Sequence, residues 1–113
     1  MAISFGKLFQ PFLLSSSPAS FFSVPASPST SLLGNGRLRL VNTSAAAVAV
    51  TLFAVPSGQG ASASNAFVDN YSIAAYSAYT VDIPQIAAGD ALLGFASTTN
   101  VIAVHAMAGV IQS

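Results

Sequence analysis

The chain has 113 residues, no cysteine, 53% hydrophobic residues and only six charged side chains: Lys7, Arg37, Arg39, Asp69, Asp82 and Asp90. That length fits one domain, and the missing cysteines exclude a disulfide framework, a thiolate nucleophile and a cysteine metal site. Net charge zero with three basic residues leaves no electrostatic footprint for nucleic acid. An ordinary chain is roughly a quarter charged, so a lone copy would show water a nearly uncharged skin, a state that promotes association. Much of that skin is therefore expected to be covered by other copies or other proteins. Mean hydropathy is high, +0.69, but the longest apolar run, Ala45–Val55, is broken by Thr51 and ends at Pro56-Ser57-Gly58. A helical membrane span needs about 20 such residues, so none is expected.

Residues 1–31 are rich in serine and proline (Pro11, Pro18, Pro25, Pro28) and interleaved with Phe5, Phe9, Phe12, Phe21 and Phe22. Proline opposes helix and central strand, while disordered tails are poor in aromatics. The segment is expected to be an extended N-terminal arm with short edge strands, anchored through Phe5, Phe9 and Phe12 onto its own core or a neighbouring subunit. Lys7 followed by Leu8 and Phe9 loosely mimics a secretory leader, but Gln10-Pro11 interrupts the apolar stretch. The arm is read as part of the mature fold, beginning at Met1, and the lack of cysteine fits synthesis in a reducing cytosol.

Residues 32–113 read as strands. Gly34-Asn35-Gly36 predicts a turn, and Arg37-Leu38-Arg39-Leu40 alternates, with the leucines inward and the arginines out. Asn42-Thr43-Ser44 is the next turn. Val48–Val55 is β-branched and apolar on both faces: Val48, Val50 and Leu52 on one, Ala49, Thr51, Phe53 and Val55 on the other. Ser57–Ser64 is a low-complexity loop tip, and a short strand is expected around Ala66–Val68. Tyr79, Val81 and Ile83 face inward on a strand ended by Pro84. Ala88-Gly89-Asp90 is a tight turn held by the aspartate, Ala91–Ser97 a strand, Thr98–Asn100 a turn and Val101–Ile111 a last strand. That strand also has two apolar faces, with His105 and Met107 on the second. Short strands at regular spacing predict an all-β fold, an antiparallel β-sandwich of jelly-roll-like form. A sandwich buries one face of each sheet, so Phe53, Val55, His105 and Met107 are expected at a subunit interface.

Two stretches carry a resemblance: Leu40–Ala46 running into Val48–Gly58, and Tyr71–Asp82 followed by Ile86–Leu92, with Phe22-Ser23-Val24-Pro25-Ala26 where such a module begins. Over residues 21–112 the chain resembles small tailed-bacteriophage virion proteins. The resemblance implies a non-enzymatic β-sandwich structural protein of the virion, a homotrimer that decorates or bridges the capsid, or forms a head spike or the base of a tail fibre. Its partners would be its own copies and other virion proteins, such as the major capsid or tail proteins. The Pro/Ser-rich start and the scarcity of charge on the last strand depart from the family pattern.

No catalytic or cofactor-binding constellation competes with this. His105, the only histidine, lies mid-strand without a Gly-x-Ser-x-Gly elbow, and the three aspartates lack ion-loop spacing. Asp82 is expected to pair across strands with Arg37 or Arg39. Asn42-Thr43-Ser44 and Asn70-Tyr71-Ser72 match the glycosylation pattern but read as turns. Tyr71, Tyr76 and Tyr79 support an alternative, a tail or fibre receptor-binding module that stacks on a host glycan. The weakest reading is a secreted adhesin or pilus-like subunit.

Overall fold

A computed structural model describes residues 3–4, 9–25 and 32–112. For strand residues 3, 4, 35, 108 and 110–112 it describes the backbone alone. The fold is all-β. Its strands are β1 (Ile3–Ser4), β2 (Phe12–Leu13), β3 (Ala19–Ser23), β4 (Leu32–Asn42), β5 (Val48–Val55), β6 (Ala66–Ile73), β7 (Ala78–Asp82), β8 (Ile86–Ala87), β9 (Ala91–Ala96) and β10 (Ile102–Gln112). A 3-10 turn, Ala63–Asn65, precedes β6. Among the described residues there is no α-helix.

The strands form two antiparallel sheets. The first runs β1-β10-β4-β7, with β2 also on β10 and β8 also on β4; the second runs β3-β9-β5-β6. The chain crosses between sheets at six of its nine strand connections; β1–β2, β5–β6 and β7–β8 stay within one sheet. Alternation explains the burial: successive side chains point to opposite faces of a strand. In β4, Leu38 and Leu40 are wholly buried while Arg37 and Arg39 are exposed. Ile102, Val104 and Val81 join them from the first sheet, and Val48, Val50, Leu52, Leu92 and Ala96 meet them from the second, in one core. Each of these valines, leucines and isoleucines contributes about 1.5–3 kcal/mol by leaving water.

Residues 9–25 are built into these sheets. Strand β3 pairs with β9, and Leu14 and Val24 belong to the shared core. Backbone bonds hold Leu14 to Ile102 and Val24 to Asp90. The edge strands of the first sheet are interrupted. Pro84, which has no N–H to give, separates β7 from β8.

The turn expected at Gly34-Asn35-Gly36 is not there. The chain passes straight through as part of an 11-residue strand, with Gly34 opposite Val110 and Leu33 opposite Ile111. The glycine at 36 serves close approach: its carbonyl accepts from the Ile83 N–H at 2.8 Å, and a Cβ there would lie 2.9 Å from Ile83 Cδ1. At Ala88-Gly89-Asp90 the turn is present, and Gly89 takes φ +84°. Asp90 Oδ2 accepts from the Ala87 N–H at 3.0 Å, and Oδ1 accepts from Ser57 at 2.9 Å, so the aspartate also ties down the loop after β5.

Candidate interaction surfaces

Four phenylalanines gather where β2 of one sheet faces β3 of the other. Phe9 lies 5.5 Å from Phe12 and 5.4 Å from Phe21, both edge-on, and 6.2 Å from Phe22; Phe12 lies 5.2 Å from Phe21. All four pack against the chain's own core. Phe9 and Phe12 thus anchor the arm within one molecule, while Phe5 lies outside the described residues. Beside the rings runs an open groove of about 470 Å³, lined by Phe9, Gln10, Phe12, Leu13, Ala19 and Phe21 among others.

The opposite side of the two sheets is closed by tyrosine. Tyr71 on β6 and Tyr79 on β7 stack with centroids 4.1 Å apart at 24°. Their rings are turned to each other, so the three tyrosines do not form one platform. Tyr76 stands apart in the β6–β7 turn, 72% exposed, with φ +54°. Its N–H donates to the Ser44 carbonyl at 3.2 Å. The left-handed region costs an L-residue roughly 1–2 kcal/mol that glycine does not pay. Tyr76→Gly is therefore expected to raise unfolding stability by about 0.5–1 kcal/mol after glycine's greater unfolded-state entropy is counted, measured by urea denaturation.

The four strand residues expected at an interface separate into two pairs. Phe53 and Val55 lie on the outer side of β5, opposite Leu93 and Ala91 of β9, yet are only 8% and 3% exposed. Phe53 stacks on Phe95 at 6.1 Å, and the 3-10 turn packs against β5. Thr51 on the same side accepts from the Asn70 N–H at 3.0 Å, where β6 bulges. Phe53 and Val55 are covered within the chain and have little surface left for a partner.

His105 and Met107 are on open surface, the outer face of the first sheet, and Met107 is 52% exposed. Strand register orders that face in rows. Leu13, Ala103, Val41 and Ala78 form an apolar row; His105, Arg39 and Thr80 form the next. Beyond them Arg37 Nε donates to Asp82 Oδ1 at 3.0 Å, the cross-strand pair expected from the alternation. Both partners are more than half exposed, so the pair contributes under about 1 kcal/mol.

Asn42 is the feature that sequence reading missed. It ends β4 and is wholly buried. Its Nδ2 donates to the carbonyls of Ala46 at 2.8 Å and Ile73 at 3.0 Å, with a longer contact to Ala74 at 3.3 Å. Its Oδ1 accepts from the Ser44 N–H at 2.9 Å and the Ser44 hydroxyl at 2.8 Å. One side chain thereby joins the β4–β5 turn to the end of β6. An amide engaged in this way is closed to glycosylation. The only signal was a Ser two residues after an Asn at a strand end, the pattern of an Asx turn.

Among the described residues no three His, Asp or Glu side chains group as metal ligands, and His105 has no serine or aspartate hydrogen-bonded to it. No helix among the described residues is long and apolar enough to cross a membrane. A scan against protein-family models finds no match, and a search of the curated proteins finds none.

Proposed function

We propose that this chain is a non-enzymatic structural subunit of a tailed-phage virion: a jelly-roll β-sandwich with an N-terminal arm that assembles as a homotrimer and decorates or bridges the capsid, or forms a spike or fibre base. The strand order supports the finer fold. Counting β1 with β2 and β7 with β8, four strands face four, and the chain alternates between sheets except at the β5–β6 hairpin, as in a doubled Greek key. That architecture hosts viral capsid and lectin domains. A fold alone does not carry a function. The observation that carries this one is the outer face of β2, β10, β4 and β7, where Leu13 and Met107 are 47% and 52% exposed on a chain with six charges. Apolar side chains in an uncovered sheet face mark a contact site.

Light scattering coupled to size exclusion is expected to give three times the 11.4 kDa of one chain. A monomer at tens of micromolar would remove the assembly. The virion assignment is tested by mass spectrometry of particles purified from cells that encode the chain. Peptides at structural copy number are expected, and their absence would end it.

Glycan recognition on a tail or fibre is a second reading, favoured by Tyr76. The ring projects from loops made of alanine and hydroxyl residues, and an exposed aromatic face can stack on a sugar. Titration with neutral glycans that shows no binding removes it.

A further inference from the structure

The charged residues are so few that each can be followed. Arg37 and Asp82 hold each other. Asp90 is spent on the backbone of Ala87 and Ser57. Lys7 lies outside the described residues. Arg39 and Asp69 remain; both are exposed, and neither has a hydrogen-bond or ionic partner among the described residues.

These two sit on different surfaces. Arg39 is central on the outer face of the first sheet, between His105 and Thr80, with the apolar row of Leu13, Ala103, Val41 and Ala78 alongside. Asp69 is on β6, the edge strand of the second sheet. It stands at the bulge where Asn70 turns to φ +50°, two residues from Tyr71, which is 44% exposed.

We propose that the outer face of the first sheet docks on the β6 edge of the next copy of this chain, with Arg39 of one subunit paired to Asp69 of its neighbour. The inference rests on the assembly reading above and names its contact. The opposite charges lie on separate patches, so the contact is heterologous, the kind that closes into a ring when its rotation permits. Set against itself across a two-fold axis, the same face would bring two guanidinium groups and one carboxylate against an identical set, with no excess of opposite charge. In the head-to-tail contact the Arg39 guanidinium meets a carboxylate, with an aromatic ring close to it on the same strand. Arginine suits both partners, as a planar donor and by stacking on aromatic faces. Leu13 and Met107 lose water in the same contact.

The test is a charge exchange read by light scattering over a concentration series. Arg39→Asp and Asp69→Arg, each alone, place like charges together and are expected to raise the concentration for half-assembly by about tenfold or more. The double variant restores the pair and is expected to return to within about threefold of the parent. Both positions are exposed, and thermal melts check that each variant folds. A monomeric parent chain would overturn the assembly reading and this contact with it. A trimeric parent with unaffected single variants would overturn the contact and leave the assembly standing. Single variants that dissociate without rescue in the double would place both residues at the interface but overturn their pairing.

Discussion

Asn42→Leu lowers the unfolding free energy by about 3 kcal/mol, read from urea denaturation at constant m value. Leucine keeps the γ-branched shape of asparagine but is bulkier and forms no hydrogen bond, so lost bonding and crowding at this fully buried position act together. The Ile73 carbonyl loses a buried donor, and the Ala46 carbonyl and the Ser44 N–H lose the partners that hold the β4–β5 turn. Leaving a buried polar group unsatisfied costs about 1–3 kcal/mol each, against a total stability of about 5–15 kcal/mol for a domain. The midpoint of thermal unfolding should fall by more than roughly 10 °C. Asn42→Asp separates the two halves of the network. A carboxylate still accepts from Ser44 but donates nothing to Ala46 or Ile73, and it sets an anion against their carbonyls. It should be no more stable than Asn42→Leu. A loss under about 0.5 kcal/mol in both variants would show that the side chain does not join the turn to β6.

The double variant Phe9→Ser and Phe12→Ser should cost about 3–4 kcal/mol. Both rings are partly buried against the core, where full burial contributes about 1.5–3 kcal/mol per ring and edge-on pairs add about 0.5–1.5 kcal/mol. Phe21 loses both of its close partners, at 5.4 and 5.2 Å, and water enters the space between β2 and β3. Concentration is the discriminating variable. Because the rings pack on their own chain, the loss should be the same in melts at low and high protein concentration. A loss confined to concentrations at which the parent assembles would mean that the rings act on a neighbouring subunit instead.

Strand positions were readable in the sequence because alternation is a local property. Leu38 and Leu40 had to share a face whatever the rest of the chain did, and the cross-strand pairing of Asp82 with an arginine followed from the same pattern. Gly34-Asn35-Gly36 misled because glycine signals either a turn or a close approach. Only the presence of Ile83 above position 36, and of β10 alongside, selects the second. Val48–Val55 was correctly seen as apolar on both faces. The inference that its second face needs another subunit did not follow, because β9 and the 3-10 turn cover Phe53 and Val55 within the chain. For Val101–Ile111 the same reasoning led to His105 and Met107, which the fold leaves open. The two strands have the same pattern in sequence and opposite surroundings in space.

By itself the sequence determined a sparsely charged, cysteine-free chain of short alternating strands, the inward placement of Leu38 and Leu40, and an aromatic arm with nowhere to go but an apolar surface. These follow from residue chemistry and a two-residue period, which act over a few neighbours. The tertiary structure alone decided that four phenylalanines close one side of the paired sheets and two stacked tyrosines the other, that Asn42 reaches Ile73, and that Arg39 and Asp69 lie on separate surfaces without partners among the described residues. Each of those depends on which distant strands meet. Such meetings are settled by the joint burial of whole faces, a sum over the chain that no local stretch contains.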